Sequence, residues 1–178
     1  DISPNVITNP MLYTLAPGEA SPFEYLFDTT LGMPASFNVT ITRQTAGAAN
    51  RTTLMEENVQ IVEDGYGWYY LTGELVNTGS QWAHITSLAG AVLDDFNNVL
   101  SANWTGTYAT ELAPAGDAMG RDRTPFAVNF PNPGGGTRWQ LYMDVDVNDN
   151  VTDINIGRTL TNGYFDQYGS FHVVGWIT

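Results

Sequence analysis

The densest set of oxygen ligands in the chain is Asp144-Val145-Asp146-Val147-Asn148-Asp149-Asn150. Asp144, Asp146 and Asn148 stand at alternate positions, the spacing by which a calcium loop aims successive oxygens at one ion. The remainder of such a loop is not there. Its sixth position requires a glycine for the sharp turn and holds Asp149, and its twelfth requires a glutamate and holds Asn155. The same alternation has a second explanation. Trp139, Leu141, Met143, Val145 and Val147 form the apolar face of a strand, which turns Asp144, Asp146 and Asn148 toward water. The strand is the expectation, with calcium as its alternative, and no metal or other cofactor is expected.

Other reactive side chains are sparse. The chain has no cysteine, which excludes a disulfide scaffold, a thiolate zinc site and a cysteine nucleophile. His84 and His172 are the only imidazoles; a zinc site or a catalytic triad would need one of them with partners, and both are expected as solvated strand residues. The acidic pairs Glu56-Glu57 and Asp94-Asp95 have the residue types of a glycosidase, but adjacent acids are expected at solvated tips. The run Pro131-Asn132-Pro133-Gly134-Gly135-Gly136 lacks the lysine and the strand-to-helix setting of a phosphate loop and reads as a hairpin connection. An enzyme is not expected. Trp68, Tyr69, Tyr70, Trp82, Trp104, Trp139 and Trp176 could stack on sugar rings, which makes carbohydrate binding the alternative function. Four acceptor sequons begin at Asn38, Asn50, Asn103 and Asn150, each with threonine in third place, and are candidates for glycosylation at strand exteriors or loops.

Composition narrows the class. Apolar residues make up 43% of the 178 positions and aromatics 12%, whereas charged residues are only 14%, against about 25% in an average chain. The net charge is −13, and all six basic residues are arginines scattered from Arg43 to Arg158. No basic stripe exists to hold phosphates, so neither nucleic acid nor an anionic membrane surface is an expected partner. No apolar run reaches the ~18 residues of a membrane span.

The elements that would position these residues repeat. Leu15-Ala16-Pro17 returns as Leu112-Ala113-Pro114, Ser21-Pro22-Phe23 as Thr124-Pro125-Phe126, and Phe27 as Phe130. Each copy is followed by an alternating segment, Phe37 to Thr42 and Trp139 to Val147. Tyr69 to Asn77 resembles Phe171 to Thr178, with Gly73 matching Gly175, and Glu57 to Ile61 resembles Asp153 to Ile156. The spacing is roughly 95 to 102 residues, the size of one immunoglobulin-like unit. The segments alternate as strands do, with turn residues at Pro17-Gly18, Asn77-Thr78-Gly79 and Asn162-Gly163. Gly73 within a strand marks a bulge or a close backbone approach, and Asp94-Asp95 with Asn97-Asn98 makes a hairpin tip. Phe126 and Phe130, like Phe23 and Phe27, lie four apart on one strand face and point into a core.

The expected fold is all-β, an immunoglobulin-like antiparallel sandwich in two copies. Residues 51–150 form a complete unit. Residues 1–50 form the back half of another, and residues 151–178 supply the front strands of one, pairing with 1–50 or with another chain. The complete unit resembles the FxLYD-type domain of prokaryotic envelope and secreted proteins. The likeness rests on Leu71 to Asn77, on Ala91 to Leu100 and on the Leu112-Ala113-Pro114 to Phe130 segment, with Asp94-Asp95-Phe96 where that family favours an aromatic before the Asp. The resemblance implies an exported, extracellular or cell-surface structural module without chemistry of its own. A sandwich short of one strand offers an open edge. The expected partners are therefore copies of the same chain joined by strand addition, as in a surface filament, or neighbouring domains.

Overall fold

The computed structural model describes residues 10–16, 18–24, 39, 52–131, 134–136 and 138–148, together with the backbone of 158–165 and 171–177. Among these the fold is all-β and antiparallel. The strands are β1 (Leu54–Glu63), β2 (Trp68–Asn77), β3 (Ala83–Leu93), β4 (Val99–Thr105), β5 (Glu111–Leu112), β6 (Arg123–Pro131), β7 (Arg138–Val147), β8 (Arg158–Phe165) and β9 (Phe171–Ile177). No helix among the described residues is long and apolar enough to cross a membrane.

The first seven strands make two facing sheets. One has the order β1-β2-β6. In the other, β3 is central, with β7 on one side and β4 and β5 in succession on the other. Alternation selects what lies between them. Leu71 and Leu75 of β2, Phe126, Val128 and Phe130 of β6, Ile85, Leu88 and Val92 of β3, and Leu141 and Val145 of β7 form one buried cluster. Along β3 the inward step changes from Ile85 to Leu88 because the register against β7 shifts between Ile85 and Ser87, the extra residue of a bulge. Gly90 leaves room for the other sheet: a Cβ there would lie 2.8 Å from Cζ of Phe130.

Local chemistry sets the turns. Asp94 accepts the backbone N–H groups of Phe96 and Asn98, each at 2.8 Å, and Asn97 takes φ 65°, so the expected tip joins β3 to β4. These bonds, the Asn98 side chain first, hold the Asp94 carboxyl below its usual range. Asn77 ends β2 fully buried. Its Nδ2 donates to the carbonyls of Gln81 at 2.8 Å and Ala113 at 2.9 Å, and its Oδ1 accepts from Gly79 N at 2.9 Å. The segment around Pro131 to Gly136 departs from expectation. It does not close a hairpin, because β6 pairs with β2 and β7 pairs with β3, and the connection carries the chain from one sheet to the other.

Gly73 behaves as its place in a strand predicts. On β1 the register jumps from Glu57 opposite Glu74 to Gln60 opposite Thr72, so Asn58 and Val59 together face Gly73. A Cβ on Gly73 would stand 3.0 Å from the Glu57 carbonyl and 3.0 Å from the Phe126 ring.

The hairpin β8–β9 repeats this arrangement at six of its seven pairs. Glu63 opposite Tyr69 becomes Phe165 opposite Phe171; Gln60 opposite Thr72 becomes Asn162 opposite Val174; Glu57 opposite Glu74 becomes Thr159 opposite Trp176. These six are displaced by 102 positions from β1–β2 pairs, as in 63 to 165 and 69 to 171; the seventh, Leu160 opposite Gly175, has no counterpart, and an irregularity again lies beside the glycine. The strand that takes the place of β1 is therefore Arg158–Phe165, not the Asp153–Ile156 segment, which lies outside the described residues. Sequence in the turn follows the same displacement: Asp64, Tyr66 and Gly67 match Asp166, Tyr168 and Gly169.

Candidate functional site

The acidic strand is the first place to look for a site, and burial decides its character. Asp144 is fully buried, against the expectation that it faces water. Part of the outer face of the β3–β7 sheet is covered by residues 10–16 and 18–24. Leu12 is 2% exposed, and Met11 packs with Ala91, Leu93, Ala102 and Tyr142 in a second apolar cluster. That cover pushes the Tyr142 hydroxyl to a raised pKa by burial. The backbone N–H of Thr14 donates to the Asp144 carboxylate at 3.0 Å, and the Thr14 hydroxyl donates to the same oxygen. Asp144 thus holds a chain segment, where a free calcium ligand would need open coordination.

Asp146 and Asn148 go elsewhere. Asp146 lies opposite His84 in the β3–β7 register. Asn148 donates to both Glu111 carboxylate oxygens, at 3.2 and 3.1 Å, and Glu111 also meets Nδ1 of His84 at 2.6 Å. His84, expected as a solvated strand residue, is half-exposed and tied to Glu111, which β5 brings beside it. Among the described residues no group of three or more His, Asp or Glu is placed to hold a metal ion.

Of the sequons, Asn38, Asn50 and Asn150 lie outside the described residues. Asn103 is half-buried on β4, turned toward β6 rather than outward. Its Nδ2 donates to the Asn129 carbonyl at 2.8 Å and its Oδ1 accepts from Trp104 N at 2.9 Å. It sits where β4 and β6 close one side of the sandwich, so the outward placement expected of a glycan site is not found there.

The aromatic residues divide by position. Tyr69 packs against the core. Trp82 lies under the Arg121 guanidinium at 5.7 Å. Arg121 in turn is held by the Asp117 carboxylate, through Nη2 at 2.7 Å and Nε at 3.1 Å. These bonds hold the Asp117 carboxyl well below the usual carboxylate range. At the opposite end of the sandwich, strand order brings together the β1–β2 turn, the β3–β4 tip and the β6–β7 crossing. Tyr66 is 90% exposed there, Phe96 84%, Trp68 40% and Trp139 36%. The Trp176 side chain lies outside the described residues.

The remaining candidates are strand edges. β4 and β6 approach on one side. On the opposite side, between β1 and β7, no strand pairing closes the sandwich among the described residues: Ile61 on the core-facing side of β1 is 43% exposed, whereas Glu56, further back on β1, is partly buried, which pushes its carboxyl up. A backbone bond crosses this side, from Thr52 N to the Val145 carbonyl at 3.1 Å. A shallow cleft of about 310 Å³ follows β7 from Gln140 to Met143 against Leu12 and Gly18–Ala20. β9 carries a further edge. Its counterpart β2 is paired along its whole length by β6, from Trp68 opposite Pro131 to Val76 opposite Arg123. Among the described residues, β9 pairs only with β8.

The repeated phrase occupies two environments. In the second copy Leu112 is fully buried, Phe126 2% exposed and Phe130 1% exposed. In the first, Leu15 and Phe23 are each 48% exposed; Phe27 lies outside the described residues. The expectation that Phe23 points into a core is not met. The segment instead folds back, with Met11 N donating to the Pro22 carbonyl at 2.9 Å and Leu12 N to the Ser21 hydroxyl at 2.9 Å. What sequence reasoning missed is this doubling back, although the paired prolines and the Pro17-Gly18 turn were a signal for it. Comparison with protein-family models, with curated proteins and with solved structures finds no match.

Proposed function

We propose that this protein is a non-enzymatic, exported structural module of the cell surface that assembles by strand addition. The observation that carries the reading is the pair of hairpins with one register. In the first, β6 completes the sheet beside β2. In the second, no such strand stands beside β9 among the described residues. A two-stranded hairpin is marginal alone in water, and an edge strand is a template for another chain.

The plan of the first seven strands supports an immunoglobulin-like unit. β1, β2 and β6 stand in the order of strands A, B and E, and β3 and β7 in the places of C and F. In the place of strand G, beside β7, no strand pairs among the described residues, and Thr52 N donates to the Val145 carbonyl there. On this reading residues 51–150 are one unit, and residues 151–178 with 1–50 are the parts of a second, the plan of the FxLYD-type resemblance. Glycosylation at Asn38, Asn50 or Asn150 belongs to the same reading. Light scattering across a hundredfold concentration range, with electron microscopy of the concentrated protein, tests it. Defined oligomers or filaments are expected; a monodisperse monomer throughout refutes assembly.

Carbohydrate binding is the second reading, favoured by the exposed Tyr66, Trp68, Phe96 and Trp139 at one end of the sandwich. Oligosaccharide titrations that quench tryptophan fluorescence, and lose the effect in W68A, would support it. A glycan array without a hit removes it.

A further inference from the structure

We infer that β9 receives residues 21–24 of a second copy of this chain, with Phe23 seated opposite Gly175. The inference rests on the strand-addition reading and gives it a partner and a register. In the complete unit, Phe126 lies opposite Gly73, and its ring comes within 3.0 Å of where a Cβ on Gly73 would be. A glycine there leaves the space that the aromatic ring fills. β9 repeats six of the pairings of β2 and has Gly175 at the place of Gly73. The sequence corresponding to Thr124-Pro125-Phe126 is Ser21-Pro22-Phe23. Carrying the β2–β6 register across places Ser21 opposite Ile177, Pro22 opposite Trp176, Phe23 opposite Gly175 and Glu24 opposite Val174.

Two observations favour a second copy over closure within one chain. Phe23 is 48% exposed, whereas Phe126 is 2% exposed, so Phe23 does not occupy such a seat in its own chain. Its segment is instead fastened toward β7, through Met11 N to Pro22 O and through Thr14 to Asp144.

The prolines fix which pairs can be tested. Pro125 and Pro131 have no N–H to donate, so their positions on β6 are those whose nitrogen faces away from β2. Such positions form the non-hydrogen-bonded pairs, whose side chains approach closest. By the same parity, Pro22 with Trp176 and Glu24 with Val174 are the close pairs. Directly opposed Cβ atoms lie about 4.5–5.5 Å apart, near the reach of a disulfide, and the chain has no cysteine to interfere.

The test mixes E24C and V174C single variants and oxidises them gently. The expected result is a disulfide-linked dimer, formed at least tenfold faster than from E24C with H172C, which is out of register. The double variant E24C/V174C should give a ladder of covalent oligomers. An internal disulfide in a monomeric double variant overturns the second-copy occupant, and absence of any disulfide overturns the pairing. F23S provides a measurement independent of the cysteines. Because Phe23 is exposed within its own chain, the variant should keep the thermal transition and weaken association about ten- to hundredfold; unchanged association overturns the inference. Light scattering separates the two levels. A native protein that associates without this cross-link keeps the strand-addition reading and loses the register, whereas a monomer without the cross-link loses both.

Discussion

Replacing Gly73 with alanine tests the bulge on which the repeated hairpins depend. The new methyl would sit 3.0 Å from the Glu57 carbonyl oxygen and 3.0 Å from Cε1 and Cζ of Phe126. Ordinary contact begins near 3.4 Å, so the neighbours must yield by about 0.4 Å. Glu57 O belongs to the backbone of the bulge, and Phe126 is 2% exposed, locked between the sheets. Neither is the loose end of a flexible chain. Overpacking of this kind costs about 1–3 kcal/mol. Alanine also narrows the unfolded ensemble, which returns about 0.4–1 kcal/mol. At the midpoints a net loss of about 1.3 kcal/mol remains. For a unit of this size that lowers Tm by about 5–10 °C. Tryptophan fluorescence during thermal unfolding reads it. Gly106 is the control, because nothing lies within 4 Å of its Cβ position and its φ is not among the positive values. G106A should stay within about 0.5 kcal/mol of the parent. A G73A variant as stable as G106A would refute the close approach and, with it, the argument that Gly175 marks the same seat.

Three further outcomes are expected. Thr14→Ala removes the hydroxyl that donates to buried Asp144; a bond to a charged group is worth about 1.5–3 kcal/mol, so residues 10–24 should become sensitive to limited proteolysis while β1–β7 remain resistant, and unchanged cleavage would count against the clamp. Asp117 has a depressed folded-state pKa, owing first to the Arg121 side chain; its contribution is complete above its unfolded pKa of about 3.9 and is lost as pH falls through the lower folded value. D117N should therefore flatten the acid limb of the stability–pH curve between about pH 4 and 2, and a curve identical to the parent's would contradict that role. The net charge of −13 makes the folded state repel itself; raising NaCl from 0.01 to 1 M shortens the Debye length from about 30 to 3 Å and should raise Tm, while a flat response would show the acids are dispersed too widely to matter.

Much of the first seven strands was legible because it depends on local rules. Apolar residues at alternate positions from Leu71 to Leu75 and from Leu141 to Val145 marked the buried faces. Asp94 with Asn97 and Asn98 gave the tip between β3 and β4, since a carboxylate that accepts nearby backbone N–H groups needs no distant partner. Gly73 gave the bulge, because a strand tolerates glycine where backbones or rings come close. The candidate edge was partly legible through the repeated phrase, but the correct mate of β9 was not. The short resemblance to Asp153–Ile156 pointed to the wrong segment, while the pairing register identified Arg158–Phe165.

Asp144 shows the limit of the same logic. Alternation divides a strand into two faces and takes the polar one to be wet. Here that face is dry at Asp144 because Thr14, 130 residues away, lies over it. Likewise, Pro131 to Gly136 contains the residues of a turn, but whether a turn closes a hairpin or crosses between sheets depends on which strands capture its two ends. Leu15 and Phe23 share their phrase with Leu112 and Phe126 but remain exposed, since the strands that bury the second copy come from elsewhere in the chain. Strand class, turn chemistry and the absence of cysteine chemistry follow from each residue and its near neighbours, so they could be read along the chain. Which faces are covered, which edges are paired and the register that two hairpins share depend on contacts between residues far apart in sequence, so they emerge with the packed fold.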